Sequence, residues 1–308
     1  MERAHRRTLG VGRRAAPGEP RTADARAPGG GSVVAVISER LARAVRLHIY
    51  RNYAVGGLGP TPLILGIDGP PGEGKTFSVQ AVVEHEAGIR TFHVSGGQLE
   101  SPHAGRPAEL LRDTYREAGD AVLQGLAVAA VVVVDDVDTG IGDWGDLVQY
   151  TVNRQTVVGE LMHLCDFPEV VAGRPSPRVP IIVTGNDFSR LYGPLVRSGR
   201  FRRMTWRPTF EEKREIVAGF YPSGLSGAAG DLVALFPDRP VAFFADVLSA
   251  ALDELVWPAI QQRGLTAALD AARAGSHPRV HERLAFPLLA EVASTLASRP
   301  LESHLEVH

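Results

Sequence analysis

Eight consecutive residues, Gly69-Pro70-Pro71-Gly72-Glu73-Gly74-Lys75-Thr76, constrain this 308-residue chain more than any other stretch. They fit the pattern G-x-x-x-x-G-K-[ST] of a phosphate-binding loop. Leu63-Ile64-Leu65-Gly66-Ile67 precedes them and is apolar enough for a parallel strand buried on both faces. Residues 76–83 follow and predict a helix. A strand, a glycine-rich turn and a helix N-terminus together make an anion site, because the first-turn N–H groups lack intrahelical partners. Within it Lys75 has the reach for β- and γ-phosphates, and the Thr76 hydroxyl suits Mg²⁺. All eight residues are therefore candidates for contact with ATP. The competing reading is a glycine-rich turn of no chemical consequence. Composition weighs against it: the basic residues are nearly all arginine, and the only lysines are Lys75 and Lys213.

A second signature follows. Residues 127–134 are almost wholly apolar and rich in valine, as a central strand would be, and they lead into Asp135-Asp136-Val137-Asp138. Carboxylates at the carboxyl end of such a strand face the ligand crevice. Asp135 is the candidate to hold Mg²⁺ through its water shell. Asp136 stands where ATPases of this kind usually place a glutamate that orients the attacking water. A third apolar run, residues 179–184, ends in Gly185-Asn186-Asp187. The Asn186 amide can bond a γ-phosphate or its attacking water; an Asx turn is the plainer alternative. Farther on, Arg197 and Arg200 lie three apart on a predicted short helix and its exit. Planar guanidinium groups suit a transferring phosphoryl group. Acting in trans, they would make oligomerisation part of the mechanism.

The rest of the chain sets limits. The formal net charge of −2 gives no bulk attraction to nucleic acid or anionic membrane. No apolar run approaches the roughly 20 residues of a membrane span. Cys165 is the only cysteine, which excludes an intrachain disulfide and predicts a reducing, cytoplasmic setting. It lies in an apolar stretch and reads as a core residue. Residues 1–32, rich in Arg, Ala, Gly and Pro, predict a disordered tail. A transit peptide is the sharper reading of that tail, but it has no serine before Ser32 and no clean amphipathic helix.

Residues 33–53 predict a helix, 89–94 a strand, and 107–118 and 146–165 helices. After Thr209 the periodicity is helical over 210–220, 232–236, 241–257, 265–274 and 284–296. The expected architecture is an α/β nucleotide domain with a parallel sheet over residues 33–207, a small α-helical lid over 208–300 and a tail over 301–308. His277, His281, His304 and His308 are scattered and read as solvated rather than as a metal site.

The order of these segments resembles the AAA+ ATPases. The stretches Ser95-Gly96-Gly97-Gln98-Leu99-Glu100-Ser101, Gln149-Tyr150-Thr151-Val152-Asn153-Arg154-Gln155 and Arg178-Val179-Pro180-Ile181-Ile182-Val183-Thr184-Gly185-Asn186-Asp187-Phe188-Ser189 are similar to the corresponding parts of rubisco activases. The resemblance implies a P-loop ATPase that assembles into a ring, hexameric by the likeness, and pulls on a protein substrate through a central pore. Rubisco is the partner that the family's name carries. By the same likeness Arg197 and Arg200 are the trans-acting arginines and Asn186 is the first sensor. By the same likeness residues 97–107 and 140–146 match the two pore loops, where Trp144 would grip a chain; packing against the domain is its plainer reading.

Four departures stand out. Asp135-Asp136 replaces the activases' usual Asn-Asp. Leu248 falls about where an arginine is expected in the lid. The tail shows none of the folded segment that plant activases use against rubisco. There is no C-terminal cysteine pair for redox control of the plant type. The shortened Asp136 and Leu248 keep a rival reading open, a low-turnover nucleotide-gated switch. A DNA-associated loader is the third reading, and it lacks a basic patch outside the tail.

Overall fold

The computed structural model describes residues 37–54, 59–101, 103–142, 151–276 and 283–298. Both predicted tails, Trp144 with most of the second pore-loop segment, and the four scattered histidines lie outside these residues.

Five strands form one parallel sheet: β1 Ile64–Asp68, β2 Ile89–Ser95, β3 Ala129–Asp135, β6 Ile181–Gly185 and β7 Phe201–Thr205, in the order β2-β3-β6-β1-β7. A two-stranded antiparallel hairpin, β4 Val170–Val171 and β5 Arg174–Pro175, stands apart from it. The valine-rich run makes β3 the purest example of burial on both faces. Its even and odd residues divide cleanly. Ala129, Val131 and Val133 pack into one apolar cluster, while Ala130, Val132 and Val134 pack into the other. That two-residue alternation is the strand period itself.

Each face of the sheet carries helices. One face packs α3 (Arg106–Leu123), the short α4 (Val137–Ile141) and α5 (Thr151–Asp166) through Leu111, Tyr115, Ile141, Val157 and Leu161. The other packs α1 (Glu39–Tyr53) and α2 (Lys75–Glu84) through Leu41, Val45, Val79 and Val82. On that second face the apolar cluster continues without a break into α6 (Phe210–Phe220), α7 (Ser226–Leu235), α8 (Val241–Arg263) and α10 (Phe286–Ser298) through Ile216, Val217, Leu232, Phe244, Val247 and Leu289. The α9 helix (Leu265–Arg273) buries no residue. Pro258 sits inside α8, and Leu248 is partly buried against the cluster.

The local causes are ordinary ones. Thr209 caps α6 by accepting from the Glu212 amide, and Glu212 returns a bond to the Thr209 amide, a capping box. His48 on α1 donates from Nε2 to the Ile181 carbonyl at 3.0 Å and ties that helix to β6; burial pushes its pKa down to about 4.

One sequence expectation fails around residue 200, and one element there was not expected. Residues 192–200 form turns rather than a short helix, and Phe201–Thr205 is a strand that periodicity did not announce. β7 pairs with β1 alone, so it is an edge strand, and both Arg202 and Arg203 are exposed on it.

Candidate nucleotide site

Three strands deliver the chemistry at their carboxyl ends. β1 runs into the loop at residues 69–74, β3 ends at Asp135, and β6 leads to Asn186. Pro71, Gly72, Gly74, Lys75, Thr76, Phe77, Asp136 and Asn186 line one cleft of about 310 Å³. The other three predicted loop residues, Gly69, Pro70 and Glu73, do not line it; Gly69 and Pro70 serve through carbonyls that hold Lys75.

Gly72 and Gly74 have φ of +74° and +71°, a left-handed conformation that a Cβ would penalise. Gly74 is also the residue from which α2 starts. Lys75 Nζ donates to the carbonyls of Gly69 and Pro70 at 3.0 and 2.9 Å and to Asn186 Oδ1 at 2.9 Å. Burial holds its pKa below the usual lysine value, opposed by the carboxylates of Asp136, Asp138, Asp68 and Glu73. The base of the loop is fixed by β7. Arg203 and Thr205 bond the buried Asp68 carboxylate, and the Trp206 amide bonds the Asp68 carbonyl.

Thr184 was not singled out by sequence, yet it joins the metal candidates. It is fully buried, and its hydroxyl lies 2.9 Å from Thr76 Oγ1 and 3.2 Å from Asp135 Oδ1. It also accepts from the Asp136 amide at 3.3 Å. One hydroxyl thus bridges Thr76 to Asp135, and both offer hard oxygen donors of the kind Mg²⁺ takes. Asp136 itself is exposed and adopts φ +49°, uncommon for a residue with a side chain. Asp138 is a second residue that sequence left unassigned. Buried, it accepts from the amides of Asn186 and Asp187 at 2.9 and 2.8 Å and so sets the turn that carries Asn186.

The paired arginines do not line this cleft. Arg197 is exposed. Arg200 forms a two-pronged ion pair with Asp166 at the end of α5, Nε to Oδ1 at 2.9 Å and Nη2 to Oδ2 at 2.7 Å, and donates from Nη1 to the Pro194 carbonyl at 3.1 Å. Asn153 on α5 accepts from the Gly105 amide at 3.0 Å and donates to the Ser101 carbonyl, both in the 97–107 segment likened to the first pore loop.

Residues 65–209 match the profile of the ATPase family associated with various cellular activities, AAA. The chain carries an AAA ATPase domain. The sheet, the loop and all the candidate side chains from Gly69 to Arg200 fall inside that AAA segment. Over 236 residues, 74% of its length, the chain is 41% identical to the ribulose bisphosphate carboxylase/oxygenase activase of Anabaena sp. (strain CA / ATCC 33047), of which 56% is covered. It is 37% identical over 237 residues to the chloroplastic activase of Chlamydomonas reinhardtii (74% of this chain, 57% of the relative). It is 38% identical over 227 residues to that of Zea mays (71% and 52%). The chain spans about half the length of the curated relatives it matches. Among the described residues no helix is long and apolar enough to cross a membrane.

Proposed function

We propose that this chain is an Mg²⁺-dependent ATPase that works as a ring, hexameric by its likeness to the activases, to remodel a protein complex. Rubisco is the first candidate substrate, because the relatives are named for acting on it. The reading rests on one observation above the others. The loop lysine, a strand-end carboxylate and a strand-end amide share a single cleft although they are far apart in sequence.

In this reading the amides of residues 72–76 and the Lys75 ammonium bind the phosphates of ATP. Thr76 and Asp135 hold Mg²⁺, which supplies charge neutralisation at the β- and γ-oxygens. Asp136 accepts a bond from the attacking water and directs it along the line of displacement. Asn186, now bonded to Lys75, reports on the γ-phosphate by exchanging that partner. Arg197 and Arg200 reach the site of a neighbouring subunit, which accords with their position away from their own cleft. The α-helical region from residue 208 serves as the lid, and the single, half-buried cysteine supports a cytoplasmic setting.

The test is steady-state phosphate release against protein concentration with Mg²⁺ and ATP present. Specific activity that rises as subunits assemble supports the motor. Release that stays near background while ATP is retained favours the gated switch, for which Asp136 in place of a glutamate is the supporting feature. Pulldown with Asp136→Asn in ATP then identifies the cargo, with purified rubisco as the first arm.

A further inference from the structure

The loop is gripped from behind. The Gly72 carbonyl accepts from the Ala242 amide at 2.8 Å, and the Glu73 carbonyl accepts from Trp206 Nε1 at 2.8 Å. The Glu73 carboxylate turns away from the cleft. Its Oε2 accepts from the amide of Val241, the first residue of α8, at 3.3 Å. Its Oε1 lies 3.5 Å from Nζ of Lys213 on α6. Lys213 in turn donates to the carbonyls of Pro237 and Arg239, at 3.2 and 2.8 Å, in the turn that leads into α8. Glu73 and Lys213 are both buried, and Lys213 is the only lysine besides the one in the loop.

The geometry of the peptide unit gives this grip its consequence. In a planar trans peptide the C=O and N–H point in opposite directions. Fixing the Gly72 carbonyl on Ala242 therefore aims the Glu73 amide the other way. Fixing the Glu73 carbonyl on Trp206 does the same for the Gly74 amide. These are the amides that a glycine-rich loop presents to phosphate. Accepting a bond at the carbonyl also polarises the amide of the same unit. The start of α8 is thus part of what aims the cradle.

We infer that the side chains of Glu73 and Lys213 form a clasp that couples α8 to nucleotide retention, and that these side chains position the loop rather than touch the nucleotide. Glu73 draws the positive N-terminal end of α8 onto the loop. Lys213 neutralises a buried carboxylate that would otherwise stand near the phosphates and holds the turn before α8 in place. The lid region then senses nucleotide through the back of the loop, in a chain where Leu248 stands about where a lid arginine is expected. Coupling of this kind is reciprocal: if docked α8 tightens nucleotide, bound nucleotide must tighten docked α8 by the same factor.

The inference rests on the loop being a nucleotide site, and the experiment separates the two. Release of a fluorescent ADP analogue is followed by stopped flow in wild type, Glu73→Gln, Lys213→Met and the double variant. Amide hydrogen exchange at Val241 and Ala242 is measured with and without ADP. Glu73→Gln should release ADP about tenfold faster and lose the ADP-dependent protection of those two amides. Lys213→Met strands the carboxylate, so it should release ADP faster still, and adding Glu73→Gln to it should slow release again. If Lys213→Met fails to fold, Glu73→Gln and the exchange data carry the test. Release within twofold of wild type in Glu73→Gln, or exchange at α8 that ignores ADP, overturns the clasp. Wild type that retains no ADP at all overturns the nucleotide site instead.

Discussion

Two cationic stations in this chain suit the same reaction and are built in opposite ways. Lys75 is wrapped by its own subunit, bonded to two loop carbonyls and Asn186 inside the cleft. Arg200 lies off that cleft and is tied to Asp166 by both prongs of a carboxylate. The first station needs nothing beyond the chain to meet a phosphate. The second has no phosphate to meet within its own cleft. An arginine carries five N–H donors. Asp166 and Pro194 occupy three of them in Arg200, and two remain for an outside acceptor. On the proposed function, this contrast assigns binding to one subunit and turnover to two.

Removing Lys75 should do the greatest damage. Lys75→Ala deletes the charge aimed at the phosphates, so both labelled-ATP retention and phosphate release should fall to background. Arg200→Ala should break the symmetry. ATP retention stays near wild type while turnover drops about 10³-fold, the scale on which a trans arginine acts. Mixing the two inactive variants sharpens the comparison further. An Arg200→Ala subunit keeps an intact loop and a Lys75→Ala subunit keeps an intact arginine, so mixed assemblies should regain phosphate release. If the mixture stays dead while it still co-assembles, the arginine does not act across an interface.

Thr184→Val tests the single-subunit side more gently. The substitution preserves shape and removes the hydroxyl between Thr76 and Asp135. Side chains that orient metal-binding groups are worth about 10- to 100-fold in metal affinity. The Mg²⁺ concentration for half-maximal turnover should rise about tenfold, with metal-free ADP retention unchanged. An unchanged Mg²⁺ requirement would separate Thr184 from the metal.

The same contrast explains what the sequence could and could not reveal. The loop and the strands β1, β3 and β6 were legible because their signals are contiguous: unbroken apolar runs ending in glycines, acids or an amide. Thr184, Asp138 and the clasp at Glu73 were not, since their partners lie 48 to 168 residues away and only folding brings them together. β7 escaped for a different reason. Its run Phe201-Arg202-Arg203-Met204-Thr205 is an edge strand with only Phe201 buried, so it shows neither an apolar run nor a clean alternation. Arg203 belongs to the site, since it braces Asp68 beneath the loop. The short helix expected around Arg197 and Arg200 rests on spacing alone, and residues 192–200 turn instead to feed that strand.

Asp166→Asn should produce the smallest change and reports on how the second station is held. The amide keeps the size of the side chain and loses the charge that pairs with Arg200. If Asp166 only orients the guanidinium, turnover should fall a few-fold rather than 10³-fold, with ATP retention unmoved. Cys165, next to Asp166, supplies a readout apart from catalysis. Its thiol is partly covered, its Sγ lies 3.9 Å from the Arg200 carbonyl, and burial pushes its pKa up to about 12. Thiolate is the reactive form, so labelling of wild type near pH 8 should be very slow. The Asp166 charge also raises that pKa, so labelling should accelerate in Asp166→Asn as turnover declines. Faster labelling without any loss of turnover would mean that the Asp166 charge acts on the thiol and leaves the arginine's task untouched.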